Sequence, residues 1–142
     1  MPAYEYRHVV SFEETNLVGN VYYANHVRWQ GRVREMFLHD HAHDILRELE
    51  QGLSMVTTRV FCEYYSELFA FDEVLIRMSV GEVTQSRVTM RYEYLCKGQL
   101  MARGEQQIAC LRKEGERMVA APVPPSLRSA LLRFAEPGIL VA

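Results

Sequence analysis

The spacing of apolar residues changes once along this chain, from a helical period to a period of two, and this change constrains the fold most. Between residues 25 and 40 the apolar side chains recur at steps of four, three and one, at Trp29, Val33, Met36 and Phe37. Such spacing predicts one helix with a single buried face. After Gly52, four segments of about ten residues alternate apolar and polar side chains, which predicts antiparallel strands.

A further alternating segment begins at Tyr4 and predicts a strand that precedes the helix. The sequence therefore indicates one strand, one long helix and then four or five antiparallel strands in an α+β domain. The first of these later strands is expected to place alternate residues on one face, namely Val56, Thr58, Val60, Cys62 and Tyr64. The fourth is expected to present small residues to a closely packed helix, including Ala102 and Gly104.

Two further expectations concern the helix and the C-terminal tail. Gly31 lies within the helix, where glycine costs about 1 kcal/mol relative to alanine, so we expect another backbone to approach it closely. Residues 122–142 are expected to form a tail or short helix with Ser126 as its N-cap.

Composition places the chain among ordinary globular proteins. With 142 residues, a net charge of −2 and 49% apolar residues, we expect a single domain over residues 1–142 with one core. The charge balance argues against a nucleic-acid binder, and no apolar run approaches the roughly 18 residues of a spanning helix. We therefore expect a cytoplasmic protein that binds neither nucleic acid nor membrane.

A polar loop leads directly into the predicted helix, in the segment FEETNLVGNVYYANHVRWQGRVREMFL, residues 12–38. The N-terminus of a helix offers unpaired N–H groups and a partial positive charge, so it could stabilise an oxyanion that develops on a carbonyl oxygen. The loop is therefore a candidate acyl-transfer site. The GxSxG, GxxxxGK[ST] and GxGxxG motifs do not occur in this context, which argues against serine hydrolase, P-loop and Rossmann functions.

This segment resembles the opening of the hot-dog-fold acyl thioesterases of the 4-hydroxybenzoyl-CoA type. The sequence motif EETNLVGNVYYxN, followed by WQGRxREMFL, is similar to the corresponding segment of the thioesterases of enediyne polyketide biosynthesis. The resemblance extends to about Arg112. It implies a hot-dog fold, in which an antiparallel sheet of five to six strands wraps around one long central helix. It also implies hydrolysis of a β-ketoacyl polyene thioester carried by the acyl carrier protein domain of an iterative polyketide synthase, followed by decarboxylation. A homotetramer built as a dimer of dimers is implied as well, and no cofactor or metal is expected.

Asn16 stands where the 4-hydroxybenzoyl-CoA type has a catalytic aspartate, and an amide is neither a useful base nor a nucleophile. By the resemblance, Asn16 holds the attacking water while Arg34, one helical layer away, stabilises the negative intermediate. The backbone N–H of Tyr23 is the expected oxyanion donor. Without the resemblance, Asn16 would be interpreted as an Asx turn and Arg34 as a solvated helix charge.

Glu35 is the alternative catalytic residue, as the base of a general acyl-CoA thioesterase, although pairing with His39 or simple exposure is favoured. A non-catalytic acyl-binding module is a further alternative function. Tyr22, Trp29 and Gly19 are expected to bind substrate, although aromatic residues at a helix start are more often plain core.

Several polar residues remain without an assigned catalytic role. His26 falls where the family often has a tyrosine, so its role is open. The side chains of Glu13 and Glu14 are expected to point to solvent. The cluster at residues 39–44, HDHAHD, is interpreted as a polar helix end rather than a metal site, because its middle histidine would point away from the other two.

Overall fold

The computed structural model describes residues 2–141, which form seven strands and three helices. A three-residue 3-10 turn, Phe12–Glu14, lies between the first strand and the first helix. The elements in chain order are β1 (Tyr4–Val9), α1 (Ala24–His41), α2 (Ile45–Glu50), β2 (Leu53–Tyr64), β3 (Glu73–Val83), β4 (Arg87–Cys96), β5 (Gln99–Glu114), β6 (Arg117–Ala120), α3 (Pro125–Leu132) and β7 (Ala135–Val141).

The strands form one sheet in the order β1-β3-β4-β5-β2, with every neighbouring pair antiparallel. β6 pairs antiparallel with the end of β5, and β7 pairs in parallel with β3. The sheet curls around α1, as the α+β prediction requires. It has seven strands rather than five or six, because the tail adds β7. Pro137 and Gly138 lie within this segment, and both residue types are unusual in strand interiors.

The helix α1 packs its apolar face into the sheet, with Trp29, Val33 and Phe37 buried. The small residues predicted on β5 lie beneath it, and Gly104 shows why they are needed: a Cβ at this position would collide with the side-chain amide of Gln30 and come within 3.0 Å of the Phe61 carbonyl oxygen. The prediction of close helix packing on β5 is therefore confirmed.

The predicted face of β2 is wrong in its first half. The register between β2 and β5 shifts between Thr57 and Arg59, so Thr58 is the extra residue of a bulge. Val56 therefore lies on the opposite sheet face from Val60, because an inserted residue inverts the alternation that follows it. The residues of β2 that face α1 include Thr57 and Val60, which pair with the buried Ile108 and Gln106 of β5.

Two local expectations are corrected. A Cβ on Gly31 would meet no atom of the described chain within 4 Å, so no backbone of this chain approaches that glycine. Helix α3 has Pro124 at its N-cap and begins with Pro125, so Ser126 lies inside the helix; proline fits this first position because its missing N–H would be unpaired there. The tail nevertheless packs on the domain, since Leu127 and Leu131 are fully buried.

Within residues 2–141, no helix is both long enough and apolar enough to cross a membrane.

Candidate functional site

The loop before α1 is held in shape mainly by its own hydrogen bonds. Thr15 and Val21 form an antiparallel bridge, and the Asn16 N–H donates to the Asn20 carbonyl over 2.9 Å. The Gly19 N–H donates back to the Asn16 carbonyl over 2.9 Å. Gly19 has a φ of +94°, a backbone conformation that residues with a Cβ atom rarely adopt. Gly19 therefore shapes the turn that presents Asn16.

The side chain of Asn16 is exposed and makes one hydrogen bond within the loop. Its Oδ1 accepts a hydrogen bond from the Val18 N–H over 3.1 Å, which is the Asx turn considered from the sequence. One Oδ1 lone pair and both Nδ2 hydrogens remain free to bind a water molecule. Asn16 also lines a surface cleft of about 550 Å³ together with Phe12 and Leu17. The turn and a water-holding role are therefore compatible.

Tyr23 is the N-cap residue of α1, immediately before Ala24. No acceptor among residues 2–141 takes the Tyr23 backbone N–H, whereas its carbonyl accepts a hydrogen bond of 2.7 Å from the Tyr64 hydroxyl. The side chains of Tyr22 and Tyr23 are exposed and their rings lie 4.7 Å apart. The amide predicted as oxyanion donor is thus available at the start of the helix.

Glu14 anchors this loop to the core, which the sequence analysis missed. Its carboxylate accepts hydrogen bonds from the Ser11 N–H at 2.8 Å and the Trp29 indole N–H at 2.7 Å, and it lies 2.8 Å from His8 Nε2. Its carbonyl accepts two more bonds, from the Tyr22 N–H and the side chain of Asn25. The expectation that Glu14 points to solvent is wrong, since its side chain is only 14% exposed.

These contacts also shift the acidity of Glu14. Burial raises the pKa of a carboxyl group, but the hydrogen bonds from Ser11, Trp29 and His8 outweigh burial and hold the pKa of Glu14 below its ordinary value. Glu14 is therefore ionised at neutral pH and acts as a structural clamp between β1, the loop and α1.

Arg34 lies on α1 beyond Asn25 and Trp29, the helix residues that hydrogen-bond Glu14. It is ten residues beyond Ala24, which corresponds to about 15 Å along the helix axis, and no hydrogen bond of residues 2–141 joins its side chain to the loop. Its guanidinium donates to Thr57 Oγ1 and Gln106 Oε1, each over 3.2 Å. None of the ion pairs formed by residues 2–141 includes Arg34, so its positive charge is not neutralised by a carboxylate.

His26, Gln30 and Arg34 follow one another at four-residue steps and so share one face of α1; we call them the polar row. The face is turned toward β2 and β5: the His26 ring lies 4.8 Å from the Tyr64 ring, and Gln30 Nε2 donates to the Phe61 carbonyl over 3.1 Å. The polar row therefore runs from the start of α1 along the inner side of the sheet.

Two members of the polar row are buried without full hydrogen bonding. His26 is 3% exposed and Gln30 is fully buried. The two ring nitrogens of His26 have no hydrogen-bond partner among the described residues. The Oε1 atom of Gln30 has none either. Burial lowers the pKa of His26 to about 4, so the imidazole is neutral at pH 7.

The other residues considered for the site lie elsewhere. Trp29 is buried in the core and hydrogen-bonds Glu14, so in this chain it does not face an open channel. Glu35 is exposed, with 62% of its side chain accessible, and it pairs with Arg32 over 2.6 Å. The HDHAHD cluster includes a contact of 3.0 Å between His39 and Asp40, and no group that could hold a metal is found among residues 2–141.

Comparisons with known proteins agree with this arrangement. A family model described as the thioesterase-like superfamily matches residues 10–131. The dynemicin thioesterase, whose crystal structures reveal induced-fit and allosteric effects upon polyene binding, is 42% identical, with a TM-score of 0.91 over 95% of this chain and 99% of that chain.

More distant structures share the fold. A gentisyl-coenzyme A thioesterase is 21% identical, with a TM-score of 0.77 over 87% of this chain and 98% of that chain. An aspartate-to-asparagine variant of 4-hydroxybenzoyl CoA thioesterase, complexed with 4-hydroxybenzoyl CoA, is 17% identical, with a TM-score of 0.77 over 91% of this chain and 98% of that chain.

Proposed function

Because the chain belongs to the thioesterase-like superfamily and is a thioester hydrolase, we propose that its substrate is a β-ketoacyl polyene thioester on the acyl carrier protein domain of an iterative enediyne polyketide synthase. The observation that carries the proposal is a loop that presents the Asn16 amide and leads into a helix start whose Tyr23 N–H has no acceptor among residues 2–141, in a chain 42% identical to the dynemicin thioesterase.

In this proposal each residue has a separate task. Asn16 orients the attacking water with the free lone pair of Oδ1, and the Tyr23 N–H donates to the thioester oxygen as it becomes an oxyanion. Tyr22 and Gly19 border the thioester. Arg34 supplies a positive charge that favours the tetrahedral intermediate and the enolate form of the β-ketone.

A second copy of the chain completes such a site. β2 lies at the end of the strand order, so its outer edge has no strand beside it among residues 2–141, and an unpaired edge of this length favours association. Two β2 strands paired antiparallel about a two-fold axis would move the Arg34 of each copy toward the loop of the other. The apolar side chains of Leu17 and Val18, which are strongly exposed beside Asn16, would be covered by the same contact. We propose a homotetramer formed by two such dimers.

The chemistry of the product follows from the substrate. Hydrolysis releases a β-keto acid, whose carboxylate can leave as carbon dioxide because the ketone accepts the resulting electron pair as an enolate. We propose that decarboxylation follows hydrolysis and that the enzyme works in the cytoplasm with its carrier protein.

A general acyl-CoA thioesterase with Glu35 as base is the competing function. Glu35 points to solvent and is paired with Arg32, so its carboxylate is neither buried nor directed at the Tyr23 N–H. This arrangement does not favour Glu35 as a base. A non-catalytic acyl-binding module is the other alternative. It is not favoured, because it gives the available Tyr23 N–H no catalytic role.

Product analysis tests the substrate. Purified protein should release acid or ketone from β-ketoacyl carrier protein, detected by mass spectrometry, faster than it hydrolyses a saturated acyl-CoA of equal length. The Asn16→Ala protein, with unchanged folding, serves as the control for enzymatic release. Equal rates on both substrates, lost in Glu35→Ala and kept in Asn16→Ala, would instead establish the acyl-CoA function.

A further inference from the structure

The polar row contains hydrogen-bonding groups that the proposed mechanism does not use. A neutral imidazole carries one N–H donor and one acceptor nitrogen, and a carboxamide oxygen is an acceptor. In His26 both ring nitrogens are unpartnered among residues 2–141, and one turn along the helix the same holds for Gln30 Oε1. Buried polar groups without partners are rare and each lowers stability. Two of them adjacent on one helix face call for a functional explanation.

The position of these groups relates them to the acyl chain. His26 is one turn beyond Tyr23, and helical side chains lean toward the N-terminus. The imidazole therefore lies close to the amide proposed to hold the thioester oxygen. The Tyr64 ring meets the imidazole edge to face at 4.8 Å and its hydroxyl bonds the Tyr23 carbonyl, so one cluster joins the helix start to the polar row.

Tyr64 also provides a way for a ligand to reach His26. Three aromatic rings surround the imidazole, and two of them, Trp29 and Tyr94, are buried, whereas Tyr64 is 44% exposed. Rotation of the Tyr64 side chain, which would break its hydrogen bond to the Tyr23 carbonyl, would therefore uncover the imidazole. An acyl chain entering beside the start of α1 would then pass His26 first and Gln30 next.

The donors and acceptors of this pair match a hydroxyl group. A hydroxyl can accept a hydrogen bond from the His26 N–H and donate one to Gln30 Oε1 or to the second imidazole nitrogen, whereas a plain hydrocarbon can do neither. We propose that His26 and Gln30 form a polar anchor for a hydroxyl substituent of the acyl chain, a specificity-determining pair that rests on the proposed thioesterase function.

The test measures selectivity with a series of octanoyl N-acetylcysteamine thioesters, in which a single hydroxyl is moved one carbon at a time along the chain. For the wild-type protein, kcat/KM at the best hydroxyl position should exceed that of unsubstituted octanoyl by about tenfold, the effect of one neutral hydrogen bond. His26→Leu should reduce this ratio by about tenfold, and His26→Gln, which keeps a donor and an acceptor, should restore most of it.

A stability measurement separates this role from a structural one. Because His26→Leu removes unpaired polar atoms from a buried site, it should raise the urea midpoint of unfolding. His41→Leu is the matched control, since His41 also contacts aromatic rings, at 5.6 Å from Tyr4 and 4.9 Å from Phe134, but at the opposite end of α1. It should leave the selectivity ratio unchanged.

The outcomes divide cleanly. Hydrolysis of octanoyl thioester with no favoured hydroxyl position, or a ratio that survives in His26→Leu, overturns the inference and leaves the thioesterase function standing. A lowered midpoint or loss of folding in His26→Leu also overturns it, because His26 would then be structural. Failure of the wild-type protein to hydrolyse any member of the series, while it still hydrolyses β-ketoacyl carrier protein, overturns the inference alone; failure on both kinds of substrate overturns both proposals.

Discussion

Asn16 and Arg34 are the residues on which the proposed chemistry depends. Asn16→Ala and Arg34→Ala should each lower kcat/KM by about 100-fold or more, the effect of removing one preorganised polar group from a transition state. Glu35→Ala should retain activity within about threefold of wild type, since surface ion pairs contribute little. Steady-state kinetics on β-ketoacyl carrier protein, with circular dichroism to confirm folding, measures all three. A large loss in Glu35→Ala alone would contradict the assignment.

His26 predicts a pH dependence of stability. Its folded pKa of about 4 lies below the ordinary value of 6.5, so between these values the unfolded chain binds a proton that the folded chain does not. The free energy of unfolding should therefore fall as the pH is lowered from 6.5 to 4. Urea titrations across this range measure the slope, and His26→Leu should reduce it. An equal slope in both proteins would show that the imidazole titrates normally.

Glu14 should contribute to stability in a lower pH range. Its folded pKa is depressed, so its contribution is present above the unfolded value and is lost as the pH falls through the folded one. Glu14→Gln should lower the free energy of unfolding at pH 7 by about 1–3 kcal/mol, because the contact with His8 and the hydrogen bond from Trp29 would lose their charged acceptor. Glu13→Gln, on an exposed neighbour, is the control. Equal stability of the two variants would exclude the clamp.

At the scale of elements, two glycines make opposite predictions: Gly104 lies on the contact between β5 and α1, whereas Gly31 lies on α1 away from any such contact. Gly104→Ala should lower the free energy of unfolding by about 1–3 kcal/mol, since its Cβ collides with Gln30. Gly31→Ala should raise it by about 0.5–1 kcal/mol, because nothing lies within 4 Å and alanine favours the helix. Thermal unfolding of both proteins tests the pair. Destabilisation by Gly31→Ala would indicate a neighbour supplied by a second copy.

The elements that the sequence could predict are those with unbroken local patterns. β3 and β4 alternate cleanly, and α1 was predicted to within a residue at each end. The bulge at Thr58 and the strand β7 depend on pairing with distant strands, which a local pattern does not encode.

The same division holds for the candidate site. Asn16 and Tyr23 were recognisable because the motif is contiguous, whereas Glu14 acquires its partners from β1 and α1 only after folding. The position of Arg34, about 15 Å beyond the start of the helix, could have been found by counting helical residues. The unpaired nitrogens of His26 could not have been predicted from the sequence, because they depend on which aromatic rings enclose the side chain in the folded chain.

At the scale of the whole molecule, the proposed sharing of one site between two copies has a direct test. Asn16→Ala and Arg34→Ala subunits, each inactive alone, should regain activity when unfolded together and refolded, because a mixed dimer contains one site with both native residues. Random pairing should restore about a quarter of wild-type activity. Absence of recovery, with mixed dimers verified by native mass spectrometry, would place both residues of each site in one chain.

The loop that presents Asn16 closes on itself through its own bridge, and it is fastened to the rest of the domain by Glu14, by the 2.6 Å contact between Asn20 and Glu67 and by the Val21–Leu68 backbone bond. The residues at its tip, 16–19, do not belong to the buried core. Substitutions at its tip can alter reactivity while the packed interior stays untouched, so new chemistries can evolve, or be grafted by an engineer, on an unchanged scaffold.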